Sequence, residues 1–341
     1  MATIATEEEV RTGKRGTMAE ALAYFTRHSE DDLHKDWFNL MNFDPTDFRA
    51  GRAGNKLVDH FTIAEQFRTK RDGKDTFEAI MEDREKAVKH WRTCKRDPQE
   101  NEGRRLAEHW FHVSRITTFR PSITKCIVHK YKATAVLDPT AGWGGRMLGC
   151  ASLNVPYTGI DTNLGLKPCY DGLMKVAGRN NLHMIWKSCL DVDFSAIDYD
   201  FVLTSPPYGN KEIYRHMTPW KNAYEFTTQF LSPLIQKCLD HIRREGWVFF
   251  NMDDEMYKNL ISSGFRECDE KFGLPTEKGS CKEQVYGWKA GSRPVPVPAP
   301  VAAPVAAPAP APSCSGCPSC AVKDAEIAKL RAKIEALKLL I

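Results

Sequence analysis

The sequence has no long hydrophobic runs that would indicate a membrane protein, and no charge excess that would indicate binding to a polyanion. No stretch reaches the ~18 consecutive apolar residues that span a bilayer. The N-terminal segment MATIATEEEV has neither the basic start nor the apolar core of a signal peptide. The net charge of +4 is too small to indicate nucleic-acid binding by itself. We therefore expect an intracellular protein without a membrane partner.

A regular set of paired cysteines is also missing. The 11 cysteines are odd in number and scattered from Cys94 to Cys320, which does not fit the disulfide framework of a small secreted domain. We therefore expect reduced thiols. With 42% hydrophobic, 27% charged and 10% aromatic residues, the 341-residue chain has the composition of a globular protein. Its length is enough for roughly two domains.

The composition changes at about residue 290. Residues 291–313 are dominated by Pro, Ala and Val, which cannot build a packed core and predict an extended linker. Within residues 314–341 the apolar positions follow the spacing of a heptad seam: Ile327, Leu330, Ile334, Leu337 and Ile341. A coiled coil this short needs a partner helix. The pattern therefore favours homo-oligomerisation over a solvated amphipathic tail.

A cysteine motif precedes the predicted coiled coil. Cys314, Cys317 and Cys320 supply three soft ligands where structural zinc needs four, and no histidine lies nearby. The sequence therefore predicts no metal site. Reduced cysteines in a flexible tail are the favoured interpretation, and oxidative cross-linking of subunits is the alternative.

Residues 1–130 are predicted to be mostly helical. Apolar residues recur at helical spacing in segments such as 18–28 and 76–96. From Arg92 to Lys130 basic residues are interleaved with aromatic ones, among them Trp110 and Phe119. This mixture suits a surface that contacts phosphates and stacks bases, and a solvated helix face is the alternative. The region is the candidate for substrate recognition.

Residues 131–290 consist of short apolar runs that alternate with helical segments. The predicted strands lie in TAVLDP, YTGID, MIWKSC, DFVLTSPP and WVFFNM, and the predicted helices in GRMLGCASL, GLKPCYDGLMKVAGR and FTTQFLSPLIQKCLDHIRR. This alternation predicts an α/β domain with a mostly parallel, doubly wound sheet. Ligands of such sheets bind beyond the carboxyl ends of the strands, so the candidate residues are sought there.

The first two strand ends predict a cofactor that contains a nucleoside. Asp138 precedes a glycine loop at residues 139–146 (PTAGWGGR), and Asp161 ends the second strand. The glycines let the backbone approach a ligand, and the carboxylate can accept hydrogen bonds from ribose hydroxyls. Met147 replaces the third glycine of a dinucleotide motif and no Gly-Lys-Ser/Thr follows, which disfavours a dinucleotide or a nucleoside triphosphate. A loop that only packs helix on strand is the alternative.

The fourth predicted strand ends in a box of Ser205, Pro206, Pro207 and Tyr208. Two successive prolines remove two N–H donors, so the Pro206 carbonyl can face the cleft. With the Ser205 hydroxyl it offers two acceptors for the hydrogens of an exocyclic amine, which makes the nitrogen more nucleophilic in the transition state. Tyr208 offers a flat ring to a base flipped out of a duplex.

Residues 119–251 resemble the amino-methylating, S-adenosylmethionine-dependent DNA methyltransferases, most of all the branch of phages and large DNA viruses that pairs a DPxxGWGGR loop with a TSPPY box. The resemblance implies a Rossmann-like methyltransferase sheet. It also implies roles for two sets of residues. The cofactor-binding set is Asp138, Ala141, Gly142, Gly144, Asp161, Phe119 of an F-x-P element, and Asp191 or Asp193 after the third strand. The catalytic set is Ser205, Pro206, Pro207 and Tyr208.

Two departures from the family concern the substrate. The chain has little room for a target-recognition region between Asp138 and Ser205 or after Asn251. We therefore expect recognition from the N-terminal helices, from loop 209–224 or from another subunit. The Ser form of the box is commoner among cytosine N4 enzymes, whereas the order of the motifs is commoner among adenine N6 enzymes. We favour cytosine slightly.

The resemblance predicts direct methyl transfer from S-adenosylmethionine to the exocyclic amine of a cytosine or adenine in DNA. In-line displacement needs positioning more than acid or base chemistry, so no catalytic His or Cys is expected. Two alternatives stay open. One is methylation of RNA or of a protein amide, and the other is a non-catalytic scaffold with a vestigial methyltransferase fold.

Overall fold

The structure, a computed structural model, describes residues 6–49, 51–71, 73–93, 116–214, 217–275 and 283–291. The predicted linker beyond Gly291, the cysteine motif and the predicted coiled coil lie outside the described residues. Most of the basic and aromatic segment that follows Arg92 lies outside them as well.

The N-terminal part consists of short helices with capped starts. α1 (Glu7–Arg11), α2 (Met18–Phe25) and α3 (Glu30–Met41) each begin with a capping box, in which a Thr or Ser and an acid three residues later satisfy each other's backbone N–H groups. The helices that follow are α4 (Asn55–Gln66), α5 (Phe77–Glu82), α6 (Arg84–Thr93) and α7 (Pro121–Lys130). The two-residue strand β1 (Lys70–Arg71) lies between α4 and α5.

Eight further strands follow within the described residues. They are β2 (Val136–Asp138), β3 (Tyr157–Asp161), β4 (Leu182–Trp186), β5 (Phe201–Thr204), β6 (Glu212–Ile213), β7 (Trp247–Asp253), β8 (Glu270–Gly273) and β9 (Glu283–Lys289). The main sheet has the order β4-β3-β2-β5-β7-β9-β8, and β6 pairs with β1 in a separate antiparallel ladder. Strands β4, β3, β2, β5 and β7 are parallel, whereas β9 runs antiparallel between β7 and β8. All five predicted strands are thus confirmed, and the antiparallel pair at the edge was not predicted.

Helices cover both faces of the sheet. The later helices are α8 (Gly145–Ser152), α9 (Lys167–Ala177), α10 (Ala223–Phe226), α11 (Ser232–His241) and α12 (Asp254–Ser262). Alternate residues of each parallel strand enter opposite cores: Phe201 and Leu203 pack in the core with α3, α4, α8 and α9, and Val202 packs in the core with α11 and α12. Strands buried on both faces are typical of parallel sheets. The predicted Rossmann-like, doubly wound α/β fold is confirmed.

The N-terminal helices belong in part to this core. Leu33 and Trp37 of α3 and Leu57 of α4 are buried in the same cluster as the sheet residues. A separate cluster, which includes Val10, Phe67 and Trp91, joins α1, α4 and α6. Helix α3 therefore packs against α8 and α9, and α4 packs against α9, on one side of the sheet.

The cysteines in the described residues are free thiols, and most of them are buried. Burial raises the pKa of Cys126 and of Cys169 to about 11 and that of Cys189 to about 12, so these thiols stay protonated and unreactive at neutral pH. Within the same residues, no helix is both long and apolar enough to cross a membrane.

Candidate active site

The carboxylate of Asp138, immediately before the glycine loop, is buried and accepts several hydrogen bonds. It accepts hydrogen bonds from Arg146 Nε at 2.7 Å, from the Tyr157 hydroxyl at 2.8 Å and from the Thr204 hydroxyl at 2.7 Å. The side chains of the ion pair are 0% and 6% exposed. Arg146 Nη2 also donates to the Thr140 carbonyl at 2.6 Å. The buried ion pair therefore fastens the loop to the ends of β2 and β5.

The glycines of the loop serve two different purposes. Gly142 and Gly144 have φ angles of +57° and +79°, in the left-handed region that favours glycine. A Cβ at Gly144 would lie 2.6 Å from Leu173, so this glycine permits close packing. A Cβ at Gly142 would find its nearest neighbour 3.8 Å away. Gly142 therefore faces open space, where a ligand can approach the backbone.

Asp161 ends β3 beside this open space. Its carboxylate accepts hydrogen bonds from the N–H groups of Gly142 and Asn163, each at 2.8 Å. Burial raises the pKa of Asp161, and the two backbone N–H groups oppose that rise. The Asn163 amide in turn donates to the buried Glu65 of α4 at 3.4 Å. The acid is therefore oriented by the glycine loop on one side and supported from the N-terminal helices on the other.

Two cavities meet at the carboxyl ends of the parallel strands. Cavity A, about 900 Å³ including its open mouth, is lined by the ends of β2, β3, β4 and β5, among them Asp161, Ser188 and Pro207. Cavity B, about 1330 Å³ on the same measure, is lined by residues 117–120, Pro206, Tyr208, Asn251 and others. Both cavities share four residues: Gly142, Trp143, Ser205 and Tyr214. We call these four residues the shared wall.

The predicted catalytic box begins on this wall and lines both cavities. Ser205 lines both cavities, Pro207 lines cavity A, and Pro206 and Tyr208 line cavity B. Asn251, buried on β7, donates from Nδ2 to Ser205 Oγ at 3.3 Å and to the Tyr208 hydroxyl at 3.2 Å. One amide group therefore connects the first and last side chains of the box.

The structure brings only part of the predicted cofactor set to a cavity. Gly142 and Asp161 line cavity A, whereas Phe119 lines cavity B, on the other side of the shared wall. Ala141 is 1% exposed, and its N–H donates to the Ile160 carbonyl at 2.9 Å. Asp138, Ala141 and Gly144 therefore lie behind the lining residues and shape the loop.

The structure does not bring the acids after β4 to either cavity. Asp191 is exposed, and Asp193 accepts hydrogen bonds from the backbone and hydroxyl of Ser195. Lys187, Ser188 and Cys189 line cavity A at this strand end instead. The chain turns after Ser188, whose carbonyl accepts a hydrogen bond from the Asp191 N–H at 3.0 Å. Asp191 therefore does not follow Ser188 into the lining of cavity A.

The sequence interpretation assigned no role to Asn251 or Tyr214. Asn251 lies near the carboxyl end of β7, so the rule that selected Asp138 and Asp161 could also have selected it. Tyr214 lies in loop 209–224, and only the fold shows which of that loop's aromatic residues reaches the wall. Among the described residues, no group of three or more His, Cys, Asp or Glu side chains is placed to hold a metal ion.

No family profile and no curated protein sequence matches this chain. Similar folds are found among solved structures of methyltransferases. TrmN from Thermus thermophilus is 16% identical over 50% of this chain and 48% of its own, with a TM-score of 0.38. An rRNA methylase from Streptococcus thermophilus is 12% identical over 51% of this chain and 99% of its own, with a TM-score of 0.35. An RNA methyltransferase from Salinibacter ruber, solved with S-adenosyl-L-homocysteine, is 12% identical over 52% of this chain and 97% of its own, with a TM-score of 0.36.

These matches concern about half of this chain, which itself spans about half the length of TrmN. At such identities and TM-scores they say nothing about the substrate. The function is therefore inferred from the site itself.

Proposed function

We propose that the chain is an S-adenosylmethionine-dependent methyltransferase that modifies the exocyclic amine of a flipped-out cytosine (N4) or adenine (N6) in DNA. One observation carries the proposal. The Ser205–Tyr208 box lines both cavities, which adjoin at the shared wall, with Asp161 on the side of cavity A and Tyr208 and Asn251 on the side of cavity B. Methyl transfer needs this arrangement, because donor and acceptor must enter from opposite sides of one short passage.

Cavity A fits the cofactor. Gly142 leaves backbone exposed in a space that a side chain would fill, and Asp161 is oriented to accept hydrogen bonds from the ribose hydroxyls. Ile160, Leu166 and Phe230 supply apolar surface for the adenine ring. When bound, S-adenosylmethionine supplies an electrophilic methyl group on a sulfonium.

Cavity B receives the base. The Ser205 hydroxyl and the Pro206 carbonyl accept the hydrogens of the exocyclic amine, and the Tyr208 ring stacks on the base. The bound donor would supply its methyl group to the lone pair of the amine nitrogen that Ser205 and Pro206 hold in place, and the bonding pair of the S–C bond would stay with sulfur. The nitrogen then gives one proton to water at the mouth of the cavity. Positioning accounts for the catalysis, since no step requires a strong acid or base.

The serine of the box supports cytosine over adenine as the target, and the resemblance of residues 119–251 supports DNA over RNA. We also propose that the heptad pattern of residues 314–341 joins copies of the chain.

The reaction and the base can be tested together. The chain is produced in a host without DNA methylation, and the nucleosides of that host's DNA are measured by mass spectrometry. We expect N4-methylcytosine with the wild type and none with Ser205→Ala, which keeps the fold and removes one amine acceptor. The appearance of N6-methyladenine instead would show that adenine, and not cytosine, is the target base. Unmodified DNA, from a protein that binds S-adenosylhomocysteine in calorimetry, would contradict the DNA assignment and lead to tests on RNA and protein.

Gly142→Ala is expected to weaken S-adenosylhomocysteine binding by about tenfold or more, because the new methyl group enters the space that the cofactor needs. Calorimetry measures the effect. Gly178→Ala is the matched control, since Gly178 has a similar φ of +60° at the end of α9 with open space around it. Both variants carry the left-handed strain of about 1–2 kcal/mol. Equal affinity in the two variants would contradict the placement of the cofactor at Gly142.

Cofactor affinity is also expected to fall when the solution is acidified. Burial raises the pKa of Asp161, so its carboxylate takes up a proton, and loses acceptor capacity for the ribose, at a higher pH than the ordinary aspartate value of about 3.9. Affinity is therefore full above the raised pKa and is lost as the pH falls through it. Calorimetric titrations from neutral pH downward, with circular dichroism to check folding, measure the effect. A flat profile in the wild type, identical to that of Asp161→Asn, would contradict the role of Asp161.

A further inference from the structure

Tyr214 lies on the shared wall with Gly142, Trp143 and Ser205. Its ring centroid is 6.0 Å from that of Trp143, and the two rings are tilted by 54°. Two aromatic rings therefore flank the region through which a methyl group passes from cavity A to cavity B. The proposed mechanism uses neither of them.

The backbone beside Tyr214 is held by the N-terminal part of the chain. Strand β6 pairs with β1, with Ile213 opposite Lys70 and Glu212 opposite Arg71. The ladder ends immediately before Tyr214. A residue of the catalytic face is therefore positioned by a strand that lies more than a hundred residues earlier in the sequence.

The side chain of Tyr214 is fixed as well. Its hydroxyl donates to Glu212 Oε2 at 2.6 Å. Burial raises the pKa of Tyr214 well above its usual range, and the neighbouring Glu212 carboxylate adds to the rise. The hydroxyl therefore stays protonated and keeps this bond at physiological pH, so the ring has a defined orientation.

The charge of the cofactor suggests a function for an aromatic ring at this position. The sulfonium of the methyl donor is positively charged, whereas the thioether of the product is neutral. Aromatic ring faces attract cations, and the attraction strengthens when water is excluded. Rings beside the passage can therefore favour the donor over the spent product.

We propose that Tyr214, together with Trp143, recognises the positive charge of the methyl donor and makes the site prefer S-adenosylmethionine over S-adenosylhomocysteine. The inference rests on the proposed cofactor, but not on DNA as the substrate. It also assigns a function to the β1–β6 ladder, through which the N-terminal part contributes to the active site.

Calorimetry with the two ligands tests the inference without any turnover. The full-length wild type is compared with Tyr214→Leu, which removes the aromatic ring, and with Tyr214→Phe, which keeps the ring and removes the hydroxyl. We expect Tyr214→Leu to weaken S-adenosylmethionine binding by about 3–10-fold, while S-adenosylhomocysteine binding changes by less than about twofold. Tyr214→Phe should keep most of the preference. Tyr224→Leu, at a 71% exposed tyrosine ten positions later, should leave both affinities unchanged.

The outcomes separate this inference from the proposed function. An equal loss for both ligands in Tyr214→Leu would show a packing role only, and unchanged affinities would show no role at all; either result overturns the inference. If the wild type binds neither ligand, the cofactor assignment and the inference both fail. If the ligand preference depends on Tyr214 while DNA stays unmodified, the inference holds and the proposed substrate is wrong.

Discussion

Asp138→Asn is expected to lower the free energy of unfolding by about 3–5 kcal/mol, because it leaves the guanidinium of Arg146 buried without its counter-charge. Arg146 is 5% exposed, and Asp138 is fully enclosed. For a domain of this size such a loss corresponds to a fall of about 6–20 °C in the melting temperature. Chemical denaturation followed by circular dichroism measures the loss.

Two controls test the cause of this loss. Glu8→Gln removes an ion pair with Arg11 in which the two side chains are 65% and 53% exposed, and it should leave the free energy of unfolding nearly unchanged. The double variant Asp138→Leu with Arg146→Met removes both buried charges and should recover part of the loss. The recovery is partial, since the hydroxyls of Tyr157 and Thr204 lose their acceptor. A double variant less stable than Asp138→Asn would contradict the explanation.

Asn251→Leu is expected to lower kcat by about 30-fold. The amide makes two hydrogen bonds to the box, each worth about 1 kcal/mol, and together they correspond to a factor of this size if the orientation of the box matters mainly in the transition state. Leucine keeps the branching of asparagine at Cγ but cannot donate. Affinity for S-adenosylhomocysteine should stay unchanged, because Asn251 lines cavity B and not cavity A. Steady-state kinetics measures the loss in kcat, and calorimetry measures the affinity for S-adenosylhomocysteine.

A matched variant separates positioning from a general effect on the fold. Asn259→Leu changes an asparagine of α12 that lines neither cavity A nor cavity B, so it should leave kcat within about twofold. Asn251→Asp keeps the shape but replaces the donor by an acceptor, and it should be impaired as strongly as Asn251→Leu. An unchanged kcat with a raised KM in Asn251→Leu would show that Asn251 only binds substrate.

The amino-acid sequence by itself determined the central part of the fold. Runs such as residues 201–203 (FVL) are apolar at every position, which indicates a strand buried on both faces, and helical spacing between such runs indicates crossovers. The antiparallel strands β8 and β9 were missed. In β8 the charged residues Glu270 and Lys271 are followed by Phe272 and Gly273, which is not the alternation of a half-buried strand, and the segment becomes a strand by pairing with β9. Such pairing is a long-range property that a local pattern does not contain.

The sequence also located the site, since strand ends of a doubly wound sheet meet at one edge whatever the loops do. Only the tertiary structure decided what each side chain there contacts. It turned Asp138 toward Arg146 and away from the cavity, left Asp191 outside, and brought Asn251 and Tyr214 to the box. Periodicity records which face of an element is buried, but the neighbours of a side chain depend on strand order, on helix packing and on ladders such as β1–β6. These are determined by the whole chain together.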